Sequence, residues 1–139
     1  MKMFQFKFKA GSDTVEISTP ITLRKKERQT IEENGNAIWD TGATSSMISA
    51  SMARKLQLNP IGTIQIAGVH GVQNAKCYLI DIIFKNGFTI ENIKVSEASN
   101  FGGFDLLVGM DIIKRGVFFI DGTDGDLKVL FQFPTASSI

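Results

Sequence analysis

Ala37-Ile38-Trp39-Asp40-Thr41-Gly42-Ala43-Thr44-Ser45-Ser46 reads as three apolar residues running in a strand into an aspartate, which opens a tight turn of small, hydroxyl-bearing residues. Asp, Thr and Gly all favour turns, so the tripeptide alone says only "turn". The apolar lead-in and Ala43 after it place a carboxylate at the end of a core strand. The combination occurs once. Asp13 is followed by Thr-Val, Asp81, Asp105 and Asp111 by two aliphatic residues each, and Asp121 by Gly-Thr, the reverse order. A carboxylate in such a turn suits water-activating chemistry when a second carboxylate shares its proton, because two such groups a few ångström apart cannot both ionise cheaply. With one copy per chain, the second carboxylate has to come from a second copy of the chain.

Each neighbour of Asp40 has a physical reason to be there. Gly42 lets backbone approach the carboxylate and offers its N–H. The Thr41 hydroxyl can brace the turn, in one chain or against its counterpart in another. Ser45 or Ser46 can donate to the outer carboxylate oxygen. Trp39 is one residue before Asp40, so it points to the opposite face of the strand and is expected in core or dimer packing.

The segment Asp40-Thr41-Gly42-Ala43-Thr44-Ser45-Ser46 resembles the catalytic loop of retropepsin-type aspartic proteases, the retroviral enzymes and their bacterial and cellular relatives. Asp105-Leu106-Leu107-Val108-Gly109-Met110-Asp111 is similar to that family's second signature, an apolar pair and a glycine before a short helix. Gly109 lies 67 positions after Gly42, leaving room for two hairpins. The resemblance covers roughly Ile38 to Ile120. It implies a mainly β fold, a single closed barrel with one short helix and one helical turn. It also implies homodimeric peptide-bond hydrolysis, with Asp40, Thr41 and Gly42 catalytic and a polypeptide as substrate. Substrate contacts are expected from Ala43, Thr44 and Met47, from Val69, His70 and Gly71 in a covering flap, and from Leu107 and Val108. Ile48 and Val72 are further candidate pocket liners. Viral members often carry an acidic residue where this chain has Thr44. Their dimers are tied by interleaved terminal strands, and here 39 residues precede Asp40. The rival from another class is a dimeric peptide-binding or scaffolding module of the same fold without catalysis.

Composition bounds the alternatives. At 139 residues with 43% hydrophobic content, one domain spanning residues 1–139 with a real core is expected. A two-lobed, single-chain enzyme would need more than twice the length and a second Asp-Thr/Ser-Gly. The net charge of +1 argues against a nucleic-acid surface, and the run Arg24-Lys25-Lys26-Glu27-Arg28 reads as a solvated loop or strand edge. Cys77, the single cysteine, reads as a buried free thiol. A cysteine nucleophile would pair it with His70, the single histidine, without any supporting motif. No metal or cofactor is expected. The N-terminus alternates apolar and charged residues, without the apolar core of a signal peptide, and no segment approaches the ~20 apolar residues of a membrane span. A cytoplasmic protein without membrane association is the expectation.

Along the chain, Met3 to Lys9 alternates with period two. Val15–Ile17 and Ile21–Leu23 read as short strands separated by Pro20, and Asn34-Gly35 as a hairpin turn leading into Ala37–Trp39. Ser49 caps a helix to Leu56, with Met52, Ala53 and Leu56 inward. Thr63–Ala67 and Ala75–Ile82 flank the glycine-bounded tip Gly68-Val69-His70-Gly71-Val72, a hairpin suited to close over a bound polypeptide. Asn86-Gly87 joins two more strands, the second running to Val95, and 96–103 reads as a polar loop. A helical turn from Asp111 to Lys114 ends at Gly116. Val117–Ile120 and Leu127–Phe133 form a last hairpin, whose acidic turn lacks the order of a calcium loop.

Overall fold

The structure, a computed structural model, describes residues 3–10, 15–26, 31–68, 71–85, 87–99 and 102–134, with backbone alone for 3–10. In chain order the elements are β1 (Met3–Ala10), β2 (Ile17–Lys25), β3 (Glu32–Trp39), β4 (Met47–Ser49), α1 (Ala50–Lys55), β5 (Gly62–Gly68), β6 (Gly71–Phe84), β7 (Thr89–Ala98), β8 (Leu106–Val108), α2 (Met110–Ile113), β9 (Val117–Asp121) and β10 (Leu127–Pro134).

The main sheet runs β2-β3-β8-β4-β7-β6-β5, and an additional β2–β6 pairing closes all but β5 into a barrel. Closure leaves the six barrel strands without the free edges that would otherwise invite aggregation. Period-two burial fills the interior. On β2 Thr19, Ile21, Leu23 and Lys25 alternate inward, and Ile48, Ile80, Ile82, Leu106 and Val108 are fully buried beside Met52 and Leu56 of the α1 region and Ile112 of α2. Each such aliphatic side chain contributes about 2 kcal/mol through its removal from water. Helix α1 starts where Ser49 Oγ accepts the Met52 N–H at 3.1 Å, and buries Met52 and Ala53.

A second sheet, β1-β10-β9, packs beside the barrel. On β10 Val129, Phe131 and Phe133 are buried, and Phe8, Phe6 and Phe4 occupy the register positions opposite them. Trp39 joins the two sheets. Its ring lies 5.3 Å from Phe118 and 5.0 Å from Phe131, and its Nε1–H donates to buried Thr19 Oγ1 at 3.0 Å. The residue before the candidate catalytic aspartate is thus a core side chain, as the strand alternation requires.

Three local expectations fail. Asn34-Gly35 is not a turn, because β3 runs unbroken from Glu32 to Trp39. At Gly35 a Cβ would fall 2.5 Å from Asp105 Oδ2, and that oxygen accepts the Asn36 N–H at 2.9 Å. The glycine serves close approach, not chain reversal. Pro20 does not divide two strands. It pairs with Asn36 inside β2, one residue before the second pairing, to β6, begins, so its missing N–H costs that second ladder nothing. Nor is 96–103 wholly loop, since β7 continues to Ala98.

The basic run is structural where it is described. Arg24 donates from Nε and Nη2 to Oδ2 of fully buried Asp81, both at 3.1 Å. The other Asp81 oxygen accepts the Asn92 N–H at 3.0 Å, at a register shift between Ile80 and Ile82 where Asn92 has φ +59°. Lys25 is buried, and its ammonium donates to Gln57 O at 2.5 Å.

Candidate active site

Asp40 sits where β3 leaves the barrel, half-buried, with Thr41 and Gly42 exposed. Its backbone N–H donates to Val108 O at 2.9 Å, extending the parallel β3–β8 pairing by one residue. Its own carbonyl accepts the Ala43 N–H at 3.2 Å, which closes the turn. The Gly42 N–H donates to Asp40 Oδ1 at 2.8 Å, and a Cβ on Gly42 would stand 3.1 Å from that oxygen. The carboxylate is therefore aimed by its own turn, as the sequence implies.

Beneath the turn, β8 and α2 form a floor. Gly109 lies so close that a Cβ there would stand 2.8 Å from the Ser45 carbonyl carbon. Met110 N donates to Ala43 O at 2.8 Å and Asp111 N to Thr44 O at 3.2 Å. Asp111 completes the clamp. Its Oδ2 accepts the Ser46 N–H at 3.0 Å, and its Oδ1 accepts the Ser46 hydroxyl at 2.7 Å and the Ile112 N–H at 2.9 Å. The Ser46 oxygen in turn accepts the Gly109 N–H at 2.9 Å. Ser46 therefore serves Asp111 and Gly109, not the outer oxygen of Asp40 as expected. Among the described residues no hydrogen bond joins Asp40 to another acid, and Asp111 has both oxygens engaged in holding the loop.

The expected substrate residues divide. Ala43, Met47 and Leu107 are half-buried and Thr44 is exposed. Met47 pairs with Leu107 across β4 and β8. Val108 is a correction: it is fully buried in the core, because alternation along β8 turns it away from Leu107's face. Ile48 is enclosed in the same way. Ile38 was missed. It pairs with Leu107, is half-buried, and stands two residues before Asp40. Counting back by two from the aspartate would have found it.

The flap-like hairpin is formed by β5 and the first half of β6, pairing from Gly62↔Cys77 to Gly68↔Gly71. Val69 and His70 lie outside the described residues. Gly71 is exposed with φ +102°, a conformation suited to glycine, and Val72 is exposed beside it. Between this hairpin and the barrel wall is a cavity of about 420 Å³, lined by Met47, Ile66, Gln73, Lys76 and Glu97 among others. Glu97 is fixed by the Tyr78 hydroxyl, which donates to Oε1 at 2.8 Å. Burial, and then the hydrogen bond to Glu97, push the Tyr78 phenol up to about 12.

Cys77 is a buried free thiol, inaccessible to a substrate as a nucleophile. Among the described residues no cluster of three or more His, Cys, Asp or Glu could hold a metal ion, and no helix is long and apolar enough to cross a membrane.

A family model described as "gag-polyprotein putative aspartyl protease" matches residues 30–115, well over half of the chain. The fold is similar to that of a retropepsin-like aspartic protease from Rickettsia conorii, with TM-score 0.63 and 15% identity over 97% of this chain and 95% of that one. It is also similar to the EIAV protease solved with the inhibitor HBY-793, with TM-score 0.52 and 20% identity over 71% of this chain and 86% of that one. No curated protein matches the chain by sequence.

Proposed function

The chain belongs to the gag-polyprotein aspartyl protease family of retropepsin-like enzymes, and we propose that it is a homodimeric endopeptidase in which Asp40 of each copy supplies half of the catalytic dyad. The observation that carries this reading is the Asp40 turn. An intact Asp-Thr-Gly presents a half-buried carboxylate, held by the Gly42 N–H and underpinned by Gly109 and Asp111, with no second acid hydrogen-bonded to it among the described residues.

In the assembled dyad one carboxylate is ionised and one protonated. The ionised group takes a proton from a water as that water attacks the peptide carbonyl. The protonated group donates to the oxygen on which negative charge develops. The Gly42 N–H stabilises charge on Asp40 Oδ1. The β5–β6 hairpin closes over the polypeptide and excludes water, while Met47, Leu107 and Ile38 offer apolar surface to substrate side chains. The EIAV protease, similar in fold, was solved complexed with an inhibitor.

The test is hydrolysis of a fluorogenic peptide library by wild type and Asp40→Asn. Wild type is expected to cleave with a bell-shaped pH profile peaking on the acidic side of neutral, because the dyad must hold one proton in total. Asp40→Asn is expected to keep the near-ultraviolet circular dichroism of Trp39 and lose cleavage by at least about a thousandfold. Undiminished turnover by Asp40→Asn would end this reading.

A further inference from the structure

The cavity beneath the β5–β6 hairpin has walls of two kinds. Met47 of β4 and Ile66 of β5, both half-buried, give it apolar surface. Glu97, near the end of β7, is the one carboxylate among its described lining residues, and Lys76 of β6 is the one cation. The two are held differently. Glu97 is half-buried, and its Oε1 accepts the hydroxyl of Tyr78 at 2.8 Å, from a residue only 4% exposed. The Tyr78 phenol, pushed up to about 12 by burial and by this bond, keeps its proton at neutral pH and stays a donor. Among the described residues no hydrogen bond or ion pair engages Glu97 Oε2. Lys76 is exposed, and among the described residues it forms no ion pair with Glu97 or with any other acid. A long solvated ammonium loses side-chain freedom when it grips a ligand, whereas a carboxylate already fixed by a buried hydroxyl loses little. Partial burial also strengthens the field of Glu97 relative to that of an exposed charge. Glu97 therefore sets the charge preference of this cavity.

We propose that Glu97 is a specificity-determining residue, and that this cavity is a subsite for a lysine or arginine side chain of the polypeptide substrate. The stem of that side chain lies along Met47 and Ile66, and its cationic head meets the Glu97 carboxylate. The proposal rests on the endopeptidase reading and names the class of polypeptide it cuts. Lysine and arginine are the side chains that are apolar along their length and positively charged at the tip. A charged donor on a carboxylate makes the stronger, shorter kind of hydrogen bond. A wholly apolar side chain would fill the same walls but would bury Glu97 further without pairing it. An acidic one would meet like charge. Tyr78 is a positioning residue, acting on substrate only through Glu97.

A series of fluorogenic peptides, each position filled in turn by lysine, norleucine or glutamate, tests this. At one position wild type is expected to favour lysine over norleucine about tenfold in kcat/KM, mainly through KM, and to disfavour glutamate. Glu97→Gln, whose amide oxygen can still accept from Tyr78, is expected to bring the lysine-to-norleucine ratio close to one. Glu97→Lys is expected to invert the preference toward glutamate. Tyr78→Phe, which frees the carboxylate without removing it, is expected to lower the ratio part of the way. Binding gives an arm that needs no catalysis. Fluorescence anisotropy of the same peptides, labelled, on Asp40→Asn protein is expected to show the lysine preference, and the double variant Asp40→Asn/Glu97→Gln to lack it. Cleavage with no lysine preference at any position, or with one that survives Glu97→Gln, overturns the subsite and leaves the endopeptidase standing. Lysine-selective binding that depends on Glu97, in a wild-type protein that cleaves no peptide, overturns the endopeptidase and leaves the subsite standing. Neither cleavage nor selective binding overturns both.

Discussion

The Asp40–Ser49 loop, which contributes Met47 to the cavity beneath the β5–β6 hairpin, and the hairpin itself are held in contrasting ways. The loop is fixed by partners distant in sequence. Asp111 and Gly109 reach it from more than sixty residues away, through hydrogen bonds of 2.7–3.0 Å. The hairpin beyond Cys77 is held by its own ladder, and none of its described residues from Gly62 to Lys76 is buried. Segments with few buried contacts open at low free-energy cost, whereas cross-linked ones open only with the whole fold. The candidate catalytic carboxylate is thereby pre-positioned, and the hairpin proposed to cover a polypeptide has few buried contacts to restrain it. An enzyme that admits and then encloses a long substrate needs both.

Breaking the fixed half has the largest expected effect. Both Asp111 oxygens only accept, so Asp111→Ala strands the Ser46 N–H and hydroxyl. It is expected to cost about 3 kcal/mol in denaturant unfolding and to reduce kcat by misplacing Asp40. If stability and kcat both stay at wild-type values, the clamp does not hold the loop.

The movable half should respond differently. Ile66→Ala trims the hairpin's cavity-facing side at a half-buried position. It is expected to raise KM about tenfold with little change in unfolding free energy. Steady-state kinetics beside a urea titration separates the two effects. A loss of stability as large as that of Asp111→Ala, with KM unchanged, would make the hairpin a structural element and erase the contrast.

The smallest effect lies at the join between the regions, where β6 enters the barrel. Tyr78 is the only tyrosine in the chain, so tyrosinate absorbance reports it alone. Its midpoint is expected at about 12 rather than 10. Because the folded value is raised, the stabilisation it represents is fully present below pH ~10, the unfolded value, and is lost as pH rises through the folded one. Tyr78→Phe should flatten the fall in stability across that window. A titration midpoint at the unperturbed phenol value would show that Tyr78 does not hold Glu97.

How legible this was from sequence depends on the range of the forces involved. The Asp40 turn, the Ser49 cap, α2 and the terminal hairpin are local patterns, set by spacing and by residue conformational preference, and the structure has them as expected. Asn34-Gly35 misled because the same dipeptide serves hairpin turns and close approaches, and Asp105, which requires the glycine, lies seventy positions away in sequence. The Ser46–Asp111 clamp and the Arg24–Asp81 pair were invisible for the same reason: a carboxylate's partner is chosen by the fold, not by its neighbours. Val108 was assigned to the cleft by motif alone. Strand alternation, applied to β8 as it was to Trp39, separates it from Leu107.

The most direct test of the account is poisoning by inactive chains. Wild-type protein is unfolded together with increasing amounts of Asp40→Asn chains, refolded, and assayed at constant total concentration. If each site takes one aspartate from each copy, mixed dimers hold a single carboxylate, and activity falls with the square of the wild-type fraction. Activity that falls only in proportion to the wild-type fraction would mean that each chain carries a complete site, contradicting the shared dyad.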